Sequence, residues 1–134
     1  MLASNSLIQA LKDPLKEIAL IRNGALPDAF EDILKPRSFV MKDVLNRLNI
    51  SAPTYKTKKR EKKLLDSSAT EKLLRLISTI QLASKIIGDP EAKNWLYREV
   101  DSLGGRAPID LLDTEAGHKL VEQTLQQIKH GIYS

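Results

Sequence analysis

Apolar positions along the chain recur at helical rather than alternating spacing, and Asp-Pro pairs, glycines and prolines break the pattern at short intervals. Asp13-Pro14 supplies a capping acceptor and a proline suited to a first helical position, and Gly24 can close that helix in a left-handed conformation, which predicts a helix over 14–23. Pro27 opens a second helix with Ala29, Phe30, Ile33 and Leu34 on its inner face. Pro36 cannot continue it, because the ring removes a donor and clashes backward. Ser38 is placed to cap a third helix, in which Val40, Val44, Leu45 and Leu48 form the inner stripe. After a tight Asn49-Ile50 connection, Ser51 starts a fourth, with Pro53 tolerated in its first turn.

The second half opens with Ser68-Ala69-Thr70-Glu71, a capping-box pattern, and predicts a long helix to Ile87. Leu73, Leu74, Leu76, Ile77, Ile80, Leu82, Ala83, Ile86 and Ile87 cover more than one stripe of it, so part of this surface is expected either to face another subunit or to be buried in the fold. Gly88 ends the helix, and Asp89-Pro90 starts another that carries Ala92, Trp95 and Leu96 on one face. Beyond the loop around Gly104-Gly105, Asp113 or Thr114 caps a last helix with Val121, Leu125 and Ile128 inward and Gly131 as its stop. Ile132, Tyr133 and Ser134 follow as a tail. The expected class is all-α, a small multi-helix bundle dividing into residues 1–66 and 67–134.

Composition agrees with packed helices: 42% of the 134 residues are hydrophobic but only 4% aromatic, so the core must be built from Leu, Ile, Val and Ala. A chain of this size is only just self-sufficient, which favours oligomerisation or a partner. There is no cysteine, hence no thiolate nucleophile and no cysteine metal site, and no apolar run reaches the length of a membrane span. A protein of the cytoplasm, with no membrane partner, is expected.

Charge is unevenly distributed. Residues 1–70 carry 13 Lys/Arg against 8 Asp/Glu, while residues 71–134 carry 8 against 9. Lys56, Lys58, Lys59, Arg60, Lys62 and Lys63 crowd together with only Glu61 opposing them, as suits a polyanionic partner. The cluster sits on the fourth helix, and helices three and four joined by so short a turn have the layout of a helix-turn-helix. Ser51, Thr54, Tyr55, Lys56, Lys58, Lys59 and Arg60 are the candidate DNA contacts, hydroxyls for phosphates or bases and cations mostly for phosphates. Promoter DNA is the expected polyanion.

Catalysis finds no support in the residues. His118 and His130 lie twelve positions apart in one helix, about 18 Å of rise, and cannot share a ligand within one chain. His118 is expected to face solvent, and His130 to complement the dipole at the helix C-terminus. Asp110 and Asp113 sit where helix starts routinely collect Asp. No catalytic residue, metal site or cofactor is expected. Gly104-Gly105-Arg106 looks at first like a phosphate cradle, but no strand precedes it and Pro108 leads out of it. The glycines are expected to turn the backbone sharply between helices and to leave Arg106 exposed.

Ala92, Trp95-Leu96, Leu103-Gly104-Gly105, Pro108, Leu111-Leu112, Thr114-Glu115, Gly117, Val121, Leu125, Ile128 and His130-Gly131 together resemble the toxin-binding domain of the Xre/MbcA/ParS antitoxins. Arg22-Asn23-Gly24, Ile50-Ser51 and Thr54 extend the likeness upstream, so that it covers residues 14–134. Trp95, Leu96, Gly104, Gly105, Pro108 and Gly117 are its structural motif positions. The resemblance implies a dimer with an Xre-like helix-turn-helix at residues 1–66 and a dimerisation and toxin-binding part at residues 67–134. It also implies a cognate RES-domain toxin, related to ADP-ribosyltransferases, whose NAD-consuming site is blocked, and repression of the operon's own promoter by the complex. Arg106, Lys129, His130, Gly131, Ile132, Tyr133 and Ser134 are the expected toxin contacts, with Tyr133 as the anchor of a tail that plugs the cleft. The alternative is a stand-alone helix-turn-helix regulator whose C-terminal half only dimerises. Two positions depart from the family pattern. Thr54 is followed by Tyr55-Lys56-Thr57-Lys58 where members often carry a Thr-x-x-Arg-Arg pattern, which removes bidentate guanine reading by arginine, and Ala107 replaces a Thr that would cap the next short helix.

Overall fold

The computed structural model describes the backbone of residues 2–131 and the side chains of residues 6–131. These residues form eight α-helices and three short 3-10 helices, with no strand beyond a single isolated bridge between Val100 and Arg106. None of the helices is long and apolar enough to cross a membrane. The chain divides into two units, residues 1–74 and 75–134, and the division falls within one long helix.

In the first unit, helix α1 (Leu2–Ala10) precedes the elements expected from the pattern. It goes unsignalled because it has no acidic residue in its first turn and no basic residue in its last. Leu7 and Ala10 are nonetheless buried, and the helix packs on its two successors, so tertiary contact rather than propensity holds it. Helix α2 (Pro14–Asn23) starts as predicted, with the Leu15 N–H donating to Asp13 Oδ1 at 3.0 Å. It has no fully buried residue, and Leu15 is 78% exposed. Helix α3 (Pro27–Leu34) buries Ala29, Phe30, Ile33 and Leu34 and passes into a 3-10 turn at Lys35–Arg37, where Pro36 stops the α-helical ladder.

Helix α4 (Met41–Arg47), a short connection and helix α5 (Ala52–Arg60) follow. Two details differ from expectation. Ser38 does not cap α4; it is the left-handed residue that closes the 3-10 turn, with φ of 68°. Val40 then falls outside the inner stripe at 64% exposed, and Phe39 takes the buried place beside Val44, Leu45 and Leu48. The connection closes with the Ile50 N–H on the Leu45 carbonyl at 2.9 Å and Asn49 at positive φ, a conformation Asn tolerates.

Helix α6 (Ser67–Ile87) is capped by Asp66, whose Oδ1 accepts from the Ala69 N–H at 2.7 Å, rather than by the Ser68–Glu71 box. Its first turns close the first unit: the Ala25 N–H donates to the buried Thr70 hydroxyl at 3.3 Å, and Lys72 Nζ donates to the Asn49 carbonyl at 2.9 Å. The apolar excess of α6 is mostly absorbed within the chain. Leu73, Leu74, Leu76, Ile77, Ile80 and Ala83 are all buried, and only Leu82, Ile86 and Ile87 remain half-exposed.

The second unit continues from α6 into helix α7 (Asp89–Leu96), 3-10 turns at Asp101–Leu103 and Pro108–Leu111, and helix α8 (Glu115–Lys129). Both α7 and α8 pack on the Pro108–Leu111 turn. Leu96, Leu103, Ile109, Leu112, Val121 and Leu125 make a core without charge, so the short turns act as filling between helices rather than as surface loops.

Candidate functional site

The glycine loop is built from hydrogen bonds along its own backbone. Val100 N–H donates to the Arg106 carbonyl at 3.1 Å, Gly105 N–H to Val100 O at 3.0 Å, and Gly104 N–H to Asp101 O at 3.0 Å. Closing the chain so tightly requires positive φ at two successive positions, 69° at Gly104 and 75° at Gly105, which only glycine adopts without cost. Those amides are spent on the loop and do not point at a ligand. Arg106 is exposed, as expected, while Ala107 and Pro108 are buried beneath it. Ala107 leads into the 3-10 turn with no side-chain cap, the consequence of its missing hydroxyl.

Thr114, not Asp113, caps α8, its Oγ1 accepting from the Gly117 N–H at 3.0 Å. Glu115 lies 3.7 Å from Arg75 Nε, and Arg75 also donates from Nη1 to the Leu112 carbonyl at 3.3 Å. His118 corrects the expectation of a solvent-facing imidazole. Its side chain is 13% exposed, with Nε2 placed 3.8 Å from Glu122. Lys129, His130 and Gly131 are exposed at the end of α8, where His130 N–H still donates to Gln126 O. Ile132, Tyr133 and Ser134 lie outside the described residues.

Trp95 is buried and, together with half-buried Ile87, Val100 and Ile128, lines a groove of about 620 Å³ within the second unit. Exposed charges at Glu91, Glu99, Asp101 and Arg98 complete it. Gln127 and Ile128 bring the groove to within a residue of Lys129 along α8, and the Val100–Arg106 bridge ties its edge to the arginine loop. Sequence reading missed the groove's carboxylates. Their only trace there was the slight acidic balance of residues 71–134, because three acidic residues dispersed over the eleven positions 91–101 form no motif until the loop folds back.

The cationic helix α5 separates into distinct rows. Ser51 caps it, its Oγ accepting from the Thr54 N–H at 3.3 Å and donating to Thr54 Oγ1 at 3.0 Å. Ser51, Thr54 and Lys58 line a small cavity of about 140 Å³ together with Asp66, Ser68 and Lys72. Lys56 and Arg60, one turn apart, are exposed on another side. Tyr55 corrects the expectation of an outward contact: it is 3% exposed, and its hydroxyl donates to Glu31 Oε2 at 2.7 Å. Lys59 is drawn to the same carboxylate, with Nζ 2.7 Å from Glu31 Oε1, and Lys35 reaches that oxygen at 2.8 Å. Burial alone would raise the Glu31 pKa, but hydrogen bonds from Lys35, Lys59 and Tyr55 outweigh it and hold the carboxyl below its ordinary range. Burial, reinforced by the bond to Glu31, pushes the Tyr55 phenol up. Neither Tyr55 nor Lys59 is therefore free to act in the way the spacing suggested.

Residues 82–131 match the family model of the antitoxin Xre/MbcA/ParS C-terminal toxin-binding domain. Over this segment the chain is similar to the Xre/MbcA/ParS antitoxins. The matched segment runs from the last turns of α6 through the glycine loop to the end of α8, and so contains the groove and Arg106. Relatives extend the similarity over most of the chain. The Prs ADP-ribosylating antitoxin of Sphingobium sp. (strain YBL2) is 25% identical over 131 residues, covering 90% of this chain and 82% of the relative. Antitoxin Xre of Photorhabdus laumondii is 28% identical over 117 residues, covering 85% and 79%. Antitoxin Xre of Yersinia enterocolitica is 22% identical over 116 residues, covering 85% and 78%.

Proposed function

We propose that the chain, acting as a homodimer, binds a RES-domain toxin through residues 67–134 and covers the toxin's NAD-handling cleft. In the same proposal the complex represses its own operon through residues 1–66, with α4 and α5 serving as the Xre-like helix-turn-helix. The antitoxin does no chemistry itself and works in the cytoplasm. The observation that carries the toxin-binding part is the family match over residues 82–131, which falls on a unit with its own core. ADP-ribosylation stands in the name of the Sphingobium relative, in keeping with a toxin that handles NAD.

Arg106, Lys129, His130 and Gly131 are the described residues proposed to meet the toxin, and Ile132, Tyr133 and Ser134 are proposed to enter its cleft. Co-expressing this chain with the RES-like product of a neighbouring gene should restore growth and yield a stable complex. Deleting residues 130–134 should abolish protection, and a truncated chain that still protects cells would remove the tail from the mechanism.

The proposed DNA contacts are Ser51, Thr54, Lys56, Lys58 and Arg60. The Lys56→Ala, Arg60→Ala double variant should weaken promoter binding and lower the slope of log affinity against log salt by about 1 for each phosphate no longer neutralised. An unchanged slope would place the phosphates elsewhere. Promoter affinity measured with and without the toxin separates repression by the complex from a stand-alone regulator, which would bind its operator tightly unaided.

A further inference from the structure

The groove beside Trp95 is not among the proposed toxin contacts, and its chemistry is specific. Its apolar lining comes from Ile87, Trp95, Val100 and Ile128, and its exposed charges are three carboxylates, Glu91, Glu99 and Asp101, against the single guanidinium of Arg98. Among the described residues none of those three carboxylates has an ion pair within the chain, so their charge is directed at whatever fills the groove. An apolar site of this size with unpaired carboxylates fits a cationic side chain carried next to an aliphatic or aromatic one, because arginine combines a flat apolar face with donors that pair carboxylates two at a time.

Resting on the toxin reading above, we infer that this groove is the docking site for a basic segment of the toxin, seating an arginine or lysine of that segment between Trp95 and the carboxylates of Glu91, Glu99 and Asp101. Arginine and lysine are common partners of the phosphates of a dinucleotide, so a basic segment at the mouth of such a cleft is chemically at hand. The groove reaches Ile128, next to the exposed end of α8, so one footprint spans both. Docking there would bring the end of α8 to the cleft and withdraw cations from its substrate.

Trp95 is the only tryptophan of the chain, which makes it a private reporter. The full chain labelled with 5-fluorotryptophan gives one fluorine resonance, to be followed while a catalytically inactive form of the neighbouring RES-like protein is added. The resonance should move as the complex forms. The double reversal Glu99→Lys, Asp101→Lys, at two exposed positions, should weaken the complex about tenfold or more at low salt and by much less at about 0.5 M salt. A complex that forms without moving the resonance, or a reversed chain that binds within about twofold of the original while keeping its helical circular dichroism, overturns the inference. So does a resonance that moves on concentrating the chain alone, since a second copy would then be the occupant. Absence of any complex overturns the toxin reading itself, and the inference with it.

Discussion

Replacing Gly117 by alanine should destabilise the C-terminal unit by roughly 3 kcal/mol and abolish toxin neutralisation. Gly117 lies in the first turn of α8, held there by its N–H on Thr114 Oγ1, and that turn is pressed against the backbone of Leu111. A Cβ at position 117 would come 2.8 Å from the Leu111 carbonyl carbon and 3.0 Å from its Cβ, and closer still to its carbonyl oxygen. Backbone cannot yield as a side-chain tip can. Either α8 lifts off the Pro108–Leu111 turn, or the turn loses its place over the buried Ile109 and Leu112. Both outcomes disturb the surface that carries the groove and Lys129. Thermal unfolding checks the size of the effect: a loss of this order should lower the midpoint by about 10 °C or more in a unit this small. A midpoint within about 2 °C of the original would show that the turn and helix can part without cost.

The second large effect is expected at Glu31. Its side chain is buried and accepts from the Tyr55 hydroxyl and from Lys59 and Lys35, which joins α3 to α5. Glu31→Ala leaves the buried phenol with only the Pro27 carbonyl, 3.5 Å away, to accept from it and takes the counter-charge from two half-exposed lysines, at a cost of about 2 kcal/mol that comes mainly from the phenol. Tyr55→Phe should cost only about 1 kcal/mol, since the carboxylate keeps both lysines. The pH dependence has a definite sign. Because the folded-state pKa of Glu31 lies below its ordinary value of 4.5, its contribution is present above that pH and is lost as the pH falls through the folded value. Urea unfolding between about pH 3 and pH 7 should show the original chain losing more stability on acidification than Glu31→Gln. Parallel curves would mean that the network does not control the placement of α5.

The difference between what was legible and what was not follows one physical line. Local signals act within a turn or two, so the Asp13 cap, the Pro27 start, the Pro36 stop, the Ser51 cap and the paired glycines of the loop could all be recognised from neighbours in the chain. The spacing of Trp95, Gly104-Gly105, Pro108, Thr114 and Gly117 carried the family likeness for the same reason: each position answers a demand of backbone geometry or close packing. Side-chain fate is decided by partners distant in sequence. Tyr55 and Lys59 sit in a run that reads as a cationic surface, yet a carboxylate 24 and 28 positions earlier buries the first and pairs with the second. His118 looks outward until Glu122 and its surroundings bury it. Leu2–Ala10 becomes a helix only because α2 and α3 offer it a surface. The groove belongs to the same class, since its carboxylates converge only when the Val100–Arg106 bridge folds the loop back beside α7 and α8. Periodicity, caps and glycines therefore determined the helices and the family likeness of this protein. Tertiary packing alone decided which charges stay free to meet a partner, because burial and ion pairing depend on separations in space that no local pattern encodes.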